Sequence, residues 1–182
     1  MTAELPAPTQ MTALEGAVPA CVAERSSSKA WQQINDLEQA MAQLPQQVCP
    51  LTHTFTPGLY TRTILMPAGT KLTSRIHLYE HPFVISQGMV RVRDGDGEWA
   101  TFRAPHIGVT KPGARRILDV IEDTVWSTFH VTDETDHEKI VDAVTYPHME
   151  LGHMDFLSDA QMAAIRANQR GIQSAQNQGA LT

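Results

Sequence analysis

Two imidazoles and a carboxylate stand within one five-residue span, His77-Leu78-Tyr79-Glu80-His81. Imidazoles this close together are the strongest metal-site signal in the chain, since neutral histidine is a common ligand for Zn(II) and other divalent transition metals. The same five residues match the H-x-x-E-H pattern of one class of zinc proteases, which needs a helix to bring its histidines to one side. Here β-branched residues surround the motif and Pro82 follows it, so the pattern reads as strand and turn. A glycine opens the run at Gly69 and another closes it at Gly88, before a second strand-like run from Met89 to Arg93. That layout places the histidines near a tight turn between strands.

The elements that must hold these groups follow from periodicity. From Leu59 onward the residues alternate, with Tyr60, Arg62 and Ile64 on one side and Thr61, Thr63 and Leu65 on the other. Turn signals recur at Pro67-Ala68-Gly69, at Tyr79 to Pro82, at Gly88, at Asp94-Gly95-Asp96-Gly97, at Pro105, at Pro112-Gly113 and at Glu122-Asp123. Short strands at such spacing predict an antiparallel sandwich or barrel. The Asp-Gly pairs are its clearest hairpin signal. Val125 to Val131 reads as the last strand.

Before the strands, residues 1–26 are rich in proline and small residues and read as a mobile arm. Ser28 offers a helix cap for residues 27–46, where Trp31, Ile34, Leu37, Met41 and Leu44 recur at spacings of three and four, until Pro45 ends the run. The apolar stripe would pack on its own domain or dock on a second subunit. The barrel would occupy residues 50–132, and 133–182 would be a helical extension and tail. There Thr135-Asp136-His137-Glu138 and Ser158-Asp159-Ala160-Gln161 read as capping boxes of short helices.

Bulk composition sets the outer limits. A chain of 182 residues with 42% hydrophobic content suits one ordinary domain with tails. A net charge of -6 and a pI near 5.7 argue against nucleic acid as the main partner. Cys21 and Cys49 are too few for a disulfide framework, which predicts a reduced, cytoplasmic setting. Neither a signal peptide nor an eighteen-residue apolar run is present, so no membrane partner is expected.

Gly69 to Gly88, together with Pro112-Gly113, resembles the two motifs of the cupin superfamily. Counting back from Gly88, the family's glutamate position falls on His81, and its two histidine positions fall on Arg75 and His77. The histidine position of the second motif falls on Arg116. Only His77 keeps the usual ligand type, while Arg75 and Arg116 put fixed cations where ligands would be. The resemblance covers roughly residues 57 to 131 and implies a cupin-like double-stranded β-barrel, or jelly roll, with the N-terminal amphipathic helix and short C-terminal helices added. It also implies barrels paired as a homodimer. The runs Glu80-His81-Pro82, Lys111-Pro112-Gly113 and Glu122-Asp123-Thr124-Val125-Trp126 are similar to small cupins encoded by tailed bacteriophages, which would place the protein in a host cytoplasm.

Two functional expectations follow. On a regular strand Arg75, His77 and Tyr79 share a face, and a turn over residues 78–80 would let His81 face the same interior. His130, on a strand that would line a cupin barrel, is the third imidazole. His77, His81 and His130 would then hold Zn, Fe, Ni or Mn. Glu80 would move a proton or offset the cations, and Arg75, Tyr79 and Arg116 would bind a small anionic substrate. The other expectation is a metal-free polar cluster in a binding or structural module of the phage type, with Arg116 in an ion pair with Glu122 or Asp123. The remaining histidines, His53 among them, read as surface or structural.

Overall fold

The computed structural model describes residues 20–22 and 28–146. The second capping box, at Ser158-Asp159-Ala160-Gln161, lies outside them. Eleven elements follow in order: α1 (Lys29–Ala42), β1 (Leu51–Thr56), β2 (Leu59–Met66), β3 (Lys71–Thr73), β4 (Ile76–His77), β5 (His81–Asp94), β6 (Ala100–Arg103), β7 (His106–Thr110), β8 (Arg116–Val131), α2 (His137–Val144) and β9 (Thr145–Tyr146). The core is all-β and antiparallel, a cupin-like double sheet.

Its organisation comes from two long strands. β5 and β8 pair along most of their length, and each serves two neighbourhoods. The first half of β5 also pairs β7 and its second half pairs β6. The late half of β8 carries β2 and then β1, while its early half carries β3. The change of partners coincides with register shifts between Ile85 and Val90, which mark a bulge. Gly88 sits in it at φ +86°. A Cβ there would stand 2.2 Å from the Asp123 carbonyl oxygen, so only glycine lets the two strands come this close. Gly88 and Glu122-Asp123 therefore do not end strands. They are the places where continuous strands bend, and the expected breaks at both positions are corrected to one bulge.

Met66, Phe83, Ile85, Val90, Val92, Leu118, Val120 and Trp126 form the main core and tie both halves of the folded sheet together. The Asp94 hairpin forms as the sequence predicts, with Gly95 at positive φ and the Gly97 N–H donating to the Asp94 carbonyl at 2.9 Å.

α1 is capped by the Ser28 hydroxyl, which accepts from the Trp31 N–H. Its stripe packs on its own domain. Trp31 is buried with Val22, Ile76, Leu78 and Tyr146, while Leu44 past the helix end is exposed. Val22 lies inside this cluster although it falls within the stretch expected to be a mobile arm. Its apolar side chain fills the space beside Trp31. The Glu38 carboxylate accepts from Arg115 Nη2 at 2.8 Å, and Arg115 is fully buried with its guanidinium 5.6 Å from the Trp31 ring centre. α2 starts one residue later than a Thr135 cap would place it, because the Asp136 side chain accepts from the Glu138 N–H. Ile140 and Val144 on α2 bury against Tyr60, and β9 then pairs with β4. No helix among the described residues is long and apolar enough to cross a membrane.

Candidate ligand cavity

β2, β4, β5 and β8 turn their inward residues toward a cavity of about 240 Å³, and α2 covers one side of it through Val141 and Val144. His77, His81, His130, Arg75 and Arg116, five of the residues singled out by sequence, line this space. The turn over residues 78–80 releases the chain from β4 so that His81 opens β5 facing the same interior. His77 is pinned from both sides, its N–H donating to the Ala114 carbonyl at 3.0 Å and its carbonyl accepting from Gly113 at 2.7 Å. Because His77 and His81 lie on strands, the helical protease arrangement is absent.

Two of the expected site residues stand elsewhere. Glu80 is exposed and accepts from Lys111 Nζ, outside the cavity, so it cannot offset the cavity's cations or move a proton within it. Tyr79 would share a face with His77 on a regular strand, but β4 is only two residues long and alternation stops at the turn. Its ring packs instead beside Ile76, Leu78, Tyr60 and Ile140. The carbonyl of Tyr79 does serve the site, accepting from His81 Nδ1 at 3.1 Å. That bond fixes the tautomer, because a carbonyl can only accept.

The three rings stand side by side, with His81 between the others: ring centres are 4.7 Å apart for His77 and His81 and 4.4 Å for His81 and His130. His130 Nε2 lies 3.3 Å from the Thr128 hydroxyl. Among the described residues no three histidine, cysteine, aspartate or glutamate side chains are arranged to hold a metal ion. Charge points the same way. The lining carries the guanidinium groups of Arg62, Arg75 and Arg116 and no carboxylate. Arg75 and Arg116 have acids behind them, Asp142 and Asp94, but Arg62 adds a fixed charge that repels a divalent ion. Geometry and charge together disfavour the expected centre on His77, His81 and His130, although His77 Nδ1 and His81 Nε2 are buried without hydrogen-bond partners.

Arg62 is the cavity-lining cation that sequence reasoning passed over. Its signal was present in the alternation of β2, where it lies between two inward-facing residues, Tyr60 and Ile64. Among the described residues no carboxylate lies within 4 Å of its guanidinium. Arg116, by contrast, has Asp94 Oδ2 3.7 Å from its Nε, donates to the Thr110 hydroxyl at 3.1 Å, and stacks over Phe83 and Trp126. Its ion pair is with Asp94, because Glu122 pairs with Arg103 and Asp123 accepts from the Ala68 N–H. Arg75 has Asp142 Oδ1 of α2 at 3.8 Å. His53, read as surface or structural, is structural: its Nδ1 hydrogen-bonds the Tyr60 hydroxyl at 2.7 Å, and the His137 ring lies 4.3 Å away.

Burial lowers the basicity of every imidazole here. Desolvation first, then neighbouring His81 and the arginines, hold His77 and His130 down at about 3. His81 is lowered by burial against the opposing effect of the Tyr79 carbonyl. The rings are therefore neutral at pH 7, while an unfolded histidine titrates near 6.5. Below that value the unfolded chain takes up protons that the folded chain refuses, so stability is complete at pH 7 and falls as pH drops toward 3. Urea midpoints should show a loss of roughly 2 kcal/mol between pH 6 and pH 5 from His77 and His130 together. A profile flat across that window would contradict neutral buried rings.

No protein-family model matches the chain, and no curated protein matches its sequence. Among the solved structures it resembles are cupin proteins. The cupin domain of Schizosaccharomyces pombe Cnp3 is 17% identical, covering 59% of this chain and 76% of that one, with a TM-score of 0.41. A cupin superfamily protein from Desulfitobacterium hafniense is 6% identical over 52% of this chain and 87% of its own, with a TM-score of 0.41. KdgF from Halomonas sp. is 14% identical over 52% and 90%, with a TM-score of 0.43. At these values the site has to be read from its own residues.

Proposed function

We propose that the barrel is a binding module for a small organic anion, held inside the cavity between the arginines and an apolar floor. One observation carries this reading: Arg62, Arg75 and Arg116 line a cavity whose lining holds no carboxylate, and Arg62 has none within 4 Å among the described residues. A buried cation left without a counter-charge is costly, and an anionic ligand would remove that cost while gaining charge-assisted hydrogen bonds. Neutral imidazoles, Thr110 and Thr128 supply further polar contacts, and Ile64, Met66, Leu72, Leu118 and Trp126 supply the apolar wall. At about 240 Å³ the cavity lies near the lower end of small-molecule sites, so the ligand is small.

A module of this kind needs no turnover, which suits the phage-type accessory protein suggested by Glu80-His81-Pro82 and Lys111-Pro112-Gly113. One observation favours a second reading, a transition metal on His77, His81 and His130. His77 Nδ1 and His81 Nε2 are buried without hydrogen-bond partners. A thermal-shift screen distinguishes binding by charge from binding by shape. Small carboxylates and sulfonates should raise the melting temperature, and amides of the same shape should not. Equal shifts from the amides, or none from any anion, would overturn the anion reading.

A further inference from the structure

The cavity's charges can be counted group by group. Arg116 has Asp94 beside it at 3.7 Å and Arg75 has Asp142 beside it at 3.8 Å, each a guanidinium with a carboxylate behind it, outside the cavity lining. Arg62 has no such partner among the described residues, although it lines the same space. Glu80, the acid nearest in sequence to the histidines, is engaged with Lys111 outside. Among the described residues one positive charge is left over.

Resting on the anion reading, we propose that the ligand bears a single negative charge: a monocarboxylate with an apolar body, its carboxylate on Arg62. The body would lie along Ile64, Leu72, Leu118 and Trp126. A second carboxylate on the ligand would meet guanidinium groups that Asp94 and Asp142 already neutralise, and it would be desolvated without a free counter-charge. Inorganic phosphate fails for the same reason and because it offers nothing to the apolar wall. Asp94 and Asp142 thus act as specificity-determining residues from behind the arginines they answer.

The test uses hexanoate, adipate and inorganic phosphate as probes, titrated calorimetrically into the full chain and into Asp142→Asn. Asp142 is largely exposed, so the substitution leaves packing alone while freeing Arg75. Hexanoate should bind wild-type protein at least tenfold more tightly than adipate or phosphate. In Asp142→Asn that preference should shrink by about two- to fivefold, because a second cation is then free and the exposed pair it leaves is a weak one. Adipate binding the wild type as tightly as hexanoate would overturn the single-charge assignment and leave the anion reading standing. An unchanged preference in Asp142→Asn would overturn the role given to Asp142. Binding of none of the probes would overturn both the assignment and the anion reading.

Discussion

Replacing Arg62 with methionine is expected to weaken hexanoate binding by about 10- to 100-fold while costing the unligated fold nothing. The first effect follows from removing a charged hydrogen-bond donor, worth roughly 1.5–3 kcal/mol in a partly desolvated site. The second follows from burial. An arginine that lines a cavity with no carboxylate of the described residues within 4 Å is held at a cost, and an apolar side chain of similar length fits the same strand position beside Ile64. Calorimetric titration and urea denaturation of the same samples would read the two effects separately. Arg62→Lys keeps the charge and should retain part of the affinity. Unchanged binding in Arg62→Met would remove Arg62 from the site.

The other large effect is expected far from the cavity. Glu38→Gln should destabilise the fold by about 3–5 kcal/mol, because it leaves the fully buried Arg115 with an uncompensated charge. Arg115 Nε and Nη1 already lack hydrogen-bond partners, so little remains to absorb the loss. Against a total of roughly 5–15 kcal/mol for a domain, this is enough to make α1 and the barrel marginal together. The double variant Glu38→Leu with Arg115→Met should recover most of the stability, since the pair can be exchanged for apolar packing beside Trp31. A loss below 1 kcal/mol in Glu38→Gln would mean that Arg115 is not held by Glu38.

The position of these groups was legible in the sequence to different depths. The alternation of Tyr60, Arg62 and Ile64 set the inward face of β2, and the turn over residues 78–80 set the inward aim of His81. Trp31 and Ile34 marked the buried side of α1. Local signals failed where two structures share the same chemistry. A glycine at positive φ serves a turn and a bulge equally well, so Gly88 could not be placed without knowing that Asp123 lies across from it. Glu80 looked like a partner for the histidines because it is their neighbour in the chain. Two-residue β4 ends before it, however, and its carboxylate swings to Lys111 on the outside. Arg115 and Arg116 adjoin in sequence and point to different acids, Glu38 on α1 and Asp94 on β5, each supplied by a remote segment. Which cation stays unpaired is a property of tertiary packing, and for that reason Arg62 emerges only in the folded chain.

The most direct test of an anion-binding cavity is anomalous diffraction from crystals grown with 6-bromohexanoate and a divalent transition metal together. The account predicts a bromine peak inside the barrel near Leu72, Leu118 and Trp126, with the carboxylate on Arg62. A metal peak among His77, His81 and His130, with no bromine in the cavity, would contradict it.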